Sequence, residues 1–155
     1  MRRLILWLVA ACAVGVPIAS VASAKSDLGV MCVLHAKLAA KNEVPPTASV
    51  AKGHTLIKVR KDGTIGFKTH INNKNHETFT AGHIHQGAVG VSAGVVVPLF
   101  VPPTAATNAR NIKQSGVATP NPGTTGAALC QNPSAYYVNY HTLAFPGGAI
   151  RGQLH

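Results

Sequence analysis

Side chains that alternate with a period of two, in short runs separated by Gly, Pro, Asn and Asp, most limit the folds open to this chain. His54 to Arg60 alternates, Lys61-Asp62-Gly63 supplies turn chemistry, and Thr64 to Ile71 alternates again, which is the clearest hairpin in the sequence. In its second strand Ile65, Phe67, Thr69 and Ile71 share one face and Gly66, Lys68 and His70 the other, so His70 is expected on the wetter side. Val30 to Leu38, Phe79 to His85, Gly94 to Phe100, Tyr136 to His141 and Ala149 to Leu154 read as further strands, with a weaker one from Arg110 to Val117. No amphipathic helix competes. The expectation is an all-β protein: an antiparallel, Greek-key-like β-sandwich of about seven or eight strands. Two prolines in Asn42-Glu43-Val44-Pro45-Pro46 forbid central pairing and place a sheet edge or loop there. Thr, Asn, Gly, Pro and Ala dominate Pro102 to Ser134, which predicts one long irregular loop. The pentad Val44 to Ala48 recurs at Val101 to Ala105, as a pseudo-repeat or as compositional bias at strand ends.

At 155 residues the chain is the size of one domain. Its start reads as an export signal: Met1-Arg2-Arg3 is a positive n-region, Leu4 to Val16 an apolar run, and Ala22-Ser23-Ala24 a small-x-small cleavage site before Lys25. Gly15 and Pro17 break the run before it reaches the roughly 20 apolar residues of a spanning helix. Residues 1–24 are therefore expected to be a secretion signal peptide and 25–155 the mature domain, periplasmic or secreted, with no transmembrane segment. Val9-Ala10-Ala11-Cys12 offers a minor alternative, lipoprotein anchoring through Cys12.

With Arg2 and Arg3 gone from the 14 basic residues, 12 face 4 acidic ones, a net +8. Nucleic acid is not the expected partner, because no Lys/Arg run carries the interleaved aromatics that single-strand binding needs. The basic residues read as a solvated surface with affinity for anionic envelope polymers, or as a field steering a small anion. Two cysteines remain, Cys32 and Cys130, and in an oxidising compartment an even pair reads first as a disulfide. Separate buried thiols or a thiolate pair on a metal are the alternatives.

Four carboxylates, Asp27, Glu43, Asp62 and Glu77, are too few for paired-carboxylate catalysis or a hard-cation site. No Gly-x-Ser-x-Gly elbow and no phosphate-cradling Gly loop occurs. Eight histidines remain. His83-Ile84-His85 on a strand puts two imidazoles on one face while Ile84 enters the core, and Tyr137, Asn139 and His141 share a face of another strand, so His141 could add a third nitrogen. Three nitrogens suit copper or zinc; hydrogen bonding to loops is the structural alternative. His35 reads as a core residue of an apolar strand, His54 and His76 as turn-edge residues, and His155 is terminal.

Ala39 to Pro46, Ala81 to Gly87, Tyr137 to Thr142 and Phe145-Pro146-Gly147-Gly148-Ala149-Ile150-Arg151-Gly152-Gln153-Leu154 resemble the successive signatures of the CHRD (chordin-type) domain, over about residues 30 to 155. The resemblance implies an extracytoplasmic β-sandwich. More distantly, His83, His85, His141 and Arg151 look like the copper half of Cu,Zn superoxide dismutase, in which Arg151 would attract a small anion; its other reading is a surface or interstrand ion-pair residue. No His-rich zinc loop with a ligand Asp follows His85, so a dinuclear enzyme is not implied.

These readings converge on an exported binding module holding one copper ion through His83, His85 and His141, with zinc as the alternative metal and no catalytic residues assigned. The first rival is a structural module that binds an extracellular protein or an envelope polymer. The second is a copper-dependent, superoxide dismutase-like redox protein.

Overall fold

The computed structural model describes residues 29–100 and 106–155. Eight strands form one antiparallel sheet: β1 (Val30–Ala39), β2 (Lys52–Arg60), β3 (Ile65–Asn72), β4 (Phe79–Gln86), β5 (Val95–Phe100), β6 (Asn111–Ala118), β7 (Tyr136–Thr142) and β8 (Ile150–Gln153). Their order is β5-β4-β7-β8-β1-β2-β3-β6, so β3 to β4 and β6 to β7 cross between the halves, and the sheet curls into an almost closed barrel. The expected all-β antiparallel class and strand number hold.

Alternation decides what fills the interior. Leu34, Ala36 and Leu38 of β1, Ile57 and Val59 of β2, and Ile65, Phe67 and Ile71 of β3 point inward to meet Phe79, Ile84, Val138, Tyr140 and Ile150 from the other half. The two halves are also joined by polar atoms, because Tyr140 donates its phenolic hydrogen to Thr69 Oγ1 at 2.7 Å and Thr69 hydrogen-bonds Thr55 at 2.9 Å. Burial pushes the Tyr140 phenol above its ordinary pKa, which keeps it a donor at any physiological pH. Tyr140 fits because residue 82 is glycine: a Cβ there would clash with the Tyr140 ring.

The segment between β5 and β7 is more ordered than its composition suggests. β6 pairs with β3 along all eight positions from Ile65 to Asn72, and a short helix, α1 (Gly126–Gln131), follows. Thr125 caps α1 by accepting from the Ala128 amide, Leu129 is fully buried, and Cys130 forms a disulfide with Cys32 of β1 across 98 residues of sequence. A six-residue helix carries too little periodicity to be read from sequence, and its order comes from Leu129 and the disulfide. The second copy of the pentad, residues 101–105, lies outside the described residues, as does the expected signal peptide.

His35 corrects a sequence expectation. It is exposed, because the inward phase of β1 falls on Leu34, Ala36 and Leu38. His70 is half-buried on the outward face, as its phase predicts.

Candidate metal centre

Register assembles three histidines on the outward face of β4 and β7. In the β4–β7 ladder His85 stands opposite Tyr137, His83 opposite Asn139, and Ala81 opposite His141. On the far side of β7, Asn139 pairs with Arg151 and Tyr137 with Gln153 of β8. The imidazole centroids of His83, His85 and His141 lie 5.0 to 6.0 Å apart. One ligand atom from each lies within 4.8 Å of the others.

Loops then cover most of this face. His85 and Arg151 are buried outside the hydrophobic core, as are Tyr137, Asn139 and Glu43. The segment after β4 folds back over Tyr137: the Ala93 amide donates to the Tyr137 hydroxyl at 3.1 Å, Gln153 Nε2 donates to the Gly87 carbonyl at 2.7 Å, and Arg151 Nη2 donates to the Ala88 carbonyl at 3.2 Å. The segment after β1 closes the other flank, with Asn42 Nδ2 donating to the Arg151 carbonyl at 3.0 Å.

Backbone carbonyls fix two of the imidazoles. His85 Nδ1 lies 2.8 Å from the Ala93 carbonyl and His141 Nδ1 lies 2.9 Å from the Pro146 carbonyl. A carbonyl only accepts, so both Nδ1 atoms carry the proton and both Nε2 atoms keep a lone pair. His85 Nε2 is buried with no hydrogen-bond partner. His83 Nδ1 is 3.1 Å from His141 Nε2 and must donate to it when no metal is bound.

The same environment keeps the cluster neutral. Burial, then the neighbouring His141 and His85, pushes His83 down to about 4. Burial is also the first cause for His85 and His141, both lowered, with His141 and Arg151 adding repulsion at His85 and the carbonyl bonds opposing the shift. Neutral imidazole is the form that binds metals.

Arg151, read from the sequence as an anion-attracting residue or as a surface or interstrand ion-pair residue, is buried with its guanidinium 3.6 Å from the centre of the Tyr137 ring, and that ring stacks on His85 at 4.8 Å between nearly parallel planes. The guanidinium thus supports His85 through Tyr137. Sequence reasoning passed over Tyr137, Asn139 and Glu43 as functional residues. Their outward strand phase was visible for Tyr137 and Asn139, but Glu43 reaches the site from a loop. Its carboxylate is pushed up to about 7 by burial, against the pull of Arg151 and of Asn139, whose Nδ2 donates to Oε2 at 3.5 Å. The remaining histidines stay apart from this cluster: His54 and His70 face each other across β2 and β3, His76 turns between β3 and β4, and His35 lies near His155.

A covered, neutral three-imidazole cluster on an antiparallel barrel defines a β domain with a built polar site. The CHRD domain model matches residues 34–154, and the chain belongs to the CHRD family. CHRD domains are typically extracellular and suggest a binding module. No curated protein and no solved structure gives a significant match. Among the described residues no helix is long and apolar enough to cross a membrane.

Proposed function

We propose that this domain is an extracellular copper-binding module in which His83 Nδ1, His85 Nε2 and His141 Nε2 hold one ion. The observation that carries the reading is the convergence of three imidazole nitrogens within 4.8 Å, one of them buried and without any other partner. An orphaned buried acceptor is costly unless something fills its lone pair, and a metal ion does so. The donors are all imidazoles, which favours copper or zinc over hard cations, and the usual order of divalent affinities favours copper. Loading requires His83 to move its proton from Nδ1 to Nε2, so that the nitrogen now donating to His141 becomes a ligand. Tyr137 and Arg151 hold His85 in place beneath the site. On this reading the chain is exported through residues 1–24, and binding rather than turnover is its activity.

The test is elemental analysis of protein purified from an exporting host without chelator or His-tag, beside His83→Ala/His85→Ala. The expected result is one equivalent of copper in the wild type and none in the variant, with affinity under a competing chelator reduced by more than about 100-fold, beyond the 10–100-fold typical of disturbing a supporting residue. Equal copper retention by a folded variant would overturn the assignment; zinc in place of copper would correct the metal and keep the site.

A further inference from the structure

The outward face of β1, β2, β3 and β6 carries a second constellation, separate from the histidine cluster. Register places Lys37, His54, His70 and Lys113 side by side, one from each of the four strands. Neighbouring strands are about 4.8 Å apart, so this row spans about 14 Å. The next row holds His35, Leu56, Lys68 and Ser115. Beyond it Lys58 projects from β2, and the Arg60 guanidinium lies over Gly66 of β3.

Six of the eleven described Lys and Arg residues, Lys52 included, project from this face. None of the three described acidic residues does: Glu43 is buried against β7, Asp62 is tied to Thr64 in the β2–β3 turn, and Glu77 accepts from Ser49 before β4. Surfaces ordinarily intersperse both signs, and like charges on adjacent strands repel. Among the described residues only Asp62 offsets part of this charge, at Arg60 beside the β2–β3 turn. A shallow groove of about 420 Å³, lined by His54, Leu56, Lys68, His70 and Lys113, runs across the strands.

We propose that this face docks a linear polyanion bearing sulfate or phosphate groups, of the anionic-polysaccharide kind. Charge complementarity selects an anionic partner, and lysines spread over four strands, Lys37, Lys58, Lys68 and Lys113, suit repeated charges along a chain better than one small ion. Neither Trp nor Phe projects from the face, whose apolar side chains are the scattered Val33, Leu56 and Val117, so it lacks the aromatic anchors of a membrane-surface site and the stacking platforms of a nucleic-acid site. The inference is independent of the copper reading.

The experiment measures affinity for fluorescein-labelled heparin by anisotropy at several salt concentrations, with the whole protein. Lys68→Glu/Lys113→Glu is expected to weaken binding on the order of tenfold or more and to flatten the salt dependence, because fewer counterions are released. Lys41→Glu/Lys74→Glu carries the same net charge but alters residues off the face, and should weaken binding by less than about threefold. Should the first variant melt early, Lys68→Gln/Lys113→Gln replaces it, with Lys41→Gln/Lys74→Gln as its equal-charge control. Equal losses in the two variants would show a net-charge effect and overturn the proposal. Stronger binding to phosphatidylglycerol-containing vesicles than to heparin would overturn the choice of partner, and absence of heparin binding by the wild type would overturn both. His83→Ala/His85→Ala should bind heparin like the wild type, which separates this result from the fate of the copper reading.

Discussion

The two outward faces of this barrel use the same residue type to opposite ends. On β4 and β7 three histidines cluster beside folded-back loops, His85 buried and His83 and His141 half-buried, with two Nδ1 atoms held by backbone carbonyls. On β2 and β3, His54 and His70 also meet across strands, at 5.5 Å between ring centroids, but they stand among lysines in a groove that the described residues line from strands alone. The two histidine groups thus differ in burial and in what orients their rings. Covering loops that fix tautomers and depress basicity make the first cluster a set of lone-pair donors, whereas the open cluster contributes to a cationic surface.

The largest break in this comparison is expected from metal titration. His54→Ala/His70→Ala should bind copper within about threefold of the wild type, while His83→Ala/His85→Ala loses more than about 100-fold. Comparable losses in a competition assay would mean that cover is irrelevant and proximity alone suffices.

The disulfide sharpens the contrast on the stability side. It ties β1, which belongs to the open face, to α1, and it touches none of the three clustered histidines. Replacing both Cys32 and Cys130 by Ala should lower unfolding free energy by about 2–5 kcal/mol in a denaturant titration, leaving copper affinity near wild type in the folded protein.

Glycines offer a smaller contrast. Gly82→Ala drives a methyl into the packed Tyr140 ring and should cost about 1–3 kcal/mol, read as a lower denaturation midpoint. At Gly66 a Cβ would meet only the end of the flexible Arg60 side chain, so Gly66→Ala should change stability by less than about 0.5 kcal/mol or raise it.

A pH-dependent effect of modest size concerns Glu43. Its folded-state pKa of about 7 lies above the ordinary value of 4.5, so the folded protein keeps a proton that the unfolded chain releases. That contribution to stability is complete below about pH 4.5 and is lost as pH rises through 7. Glu43→Gln should therefore match the wild type at pH 4 and exceed it by about 1 kcal/mol at pH 8, measured by thermal unfolding. A stability difference that does not grow with pH would mean that Glu43 is ionised in the folded protein, held by Arg151.

The sequence by itself determined the strands, because inward and outward side chains alternate with a fixed period and turns need particular residues. It also placed His83 and His85 on one face, suggested His141 as their companion, and made a Cys32–Cys130 disulfide the first of several readings. Only tertiary structure decided the rest. The phase of β1 against its neighbours turned His35 outward, the loops from β1 and β4 buried Glu43 and Arg151, and the stack of His85, Tyr137 and Arg151 formed across three strands. Alternation is local and readable along one strand; register and cover depend on which strands become neighbours, a property of the whole barrel that no single segment encodes.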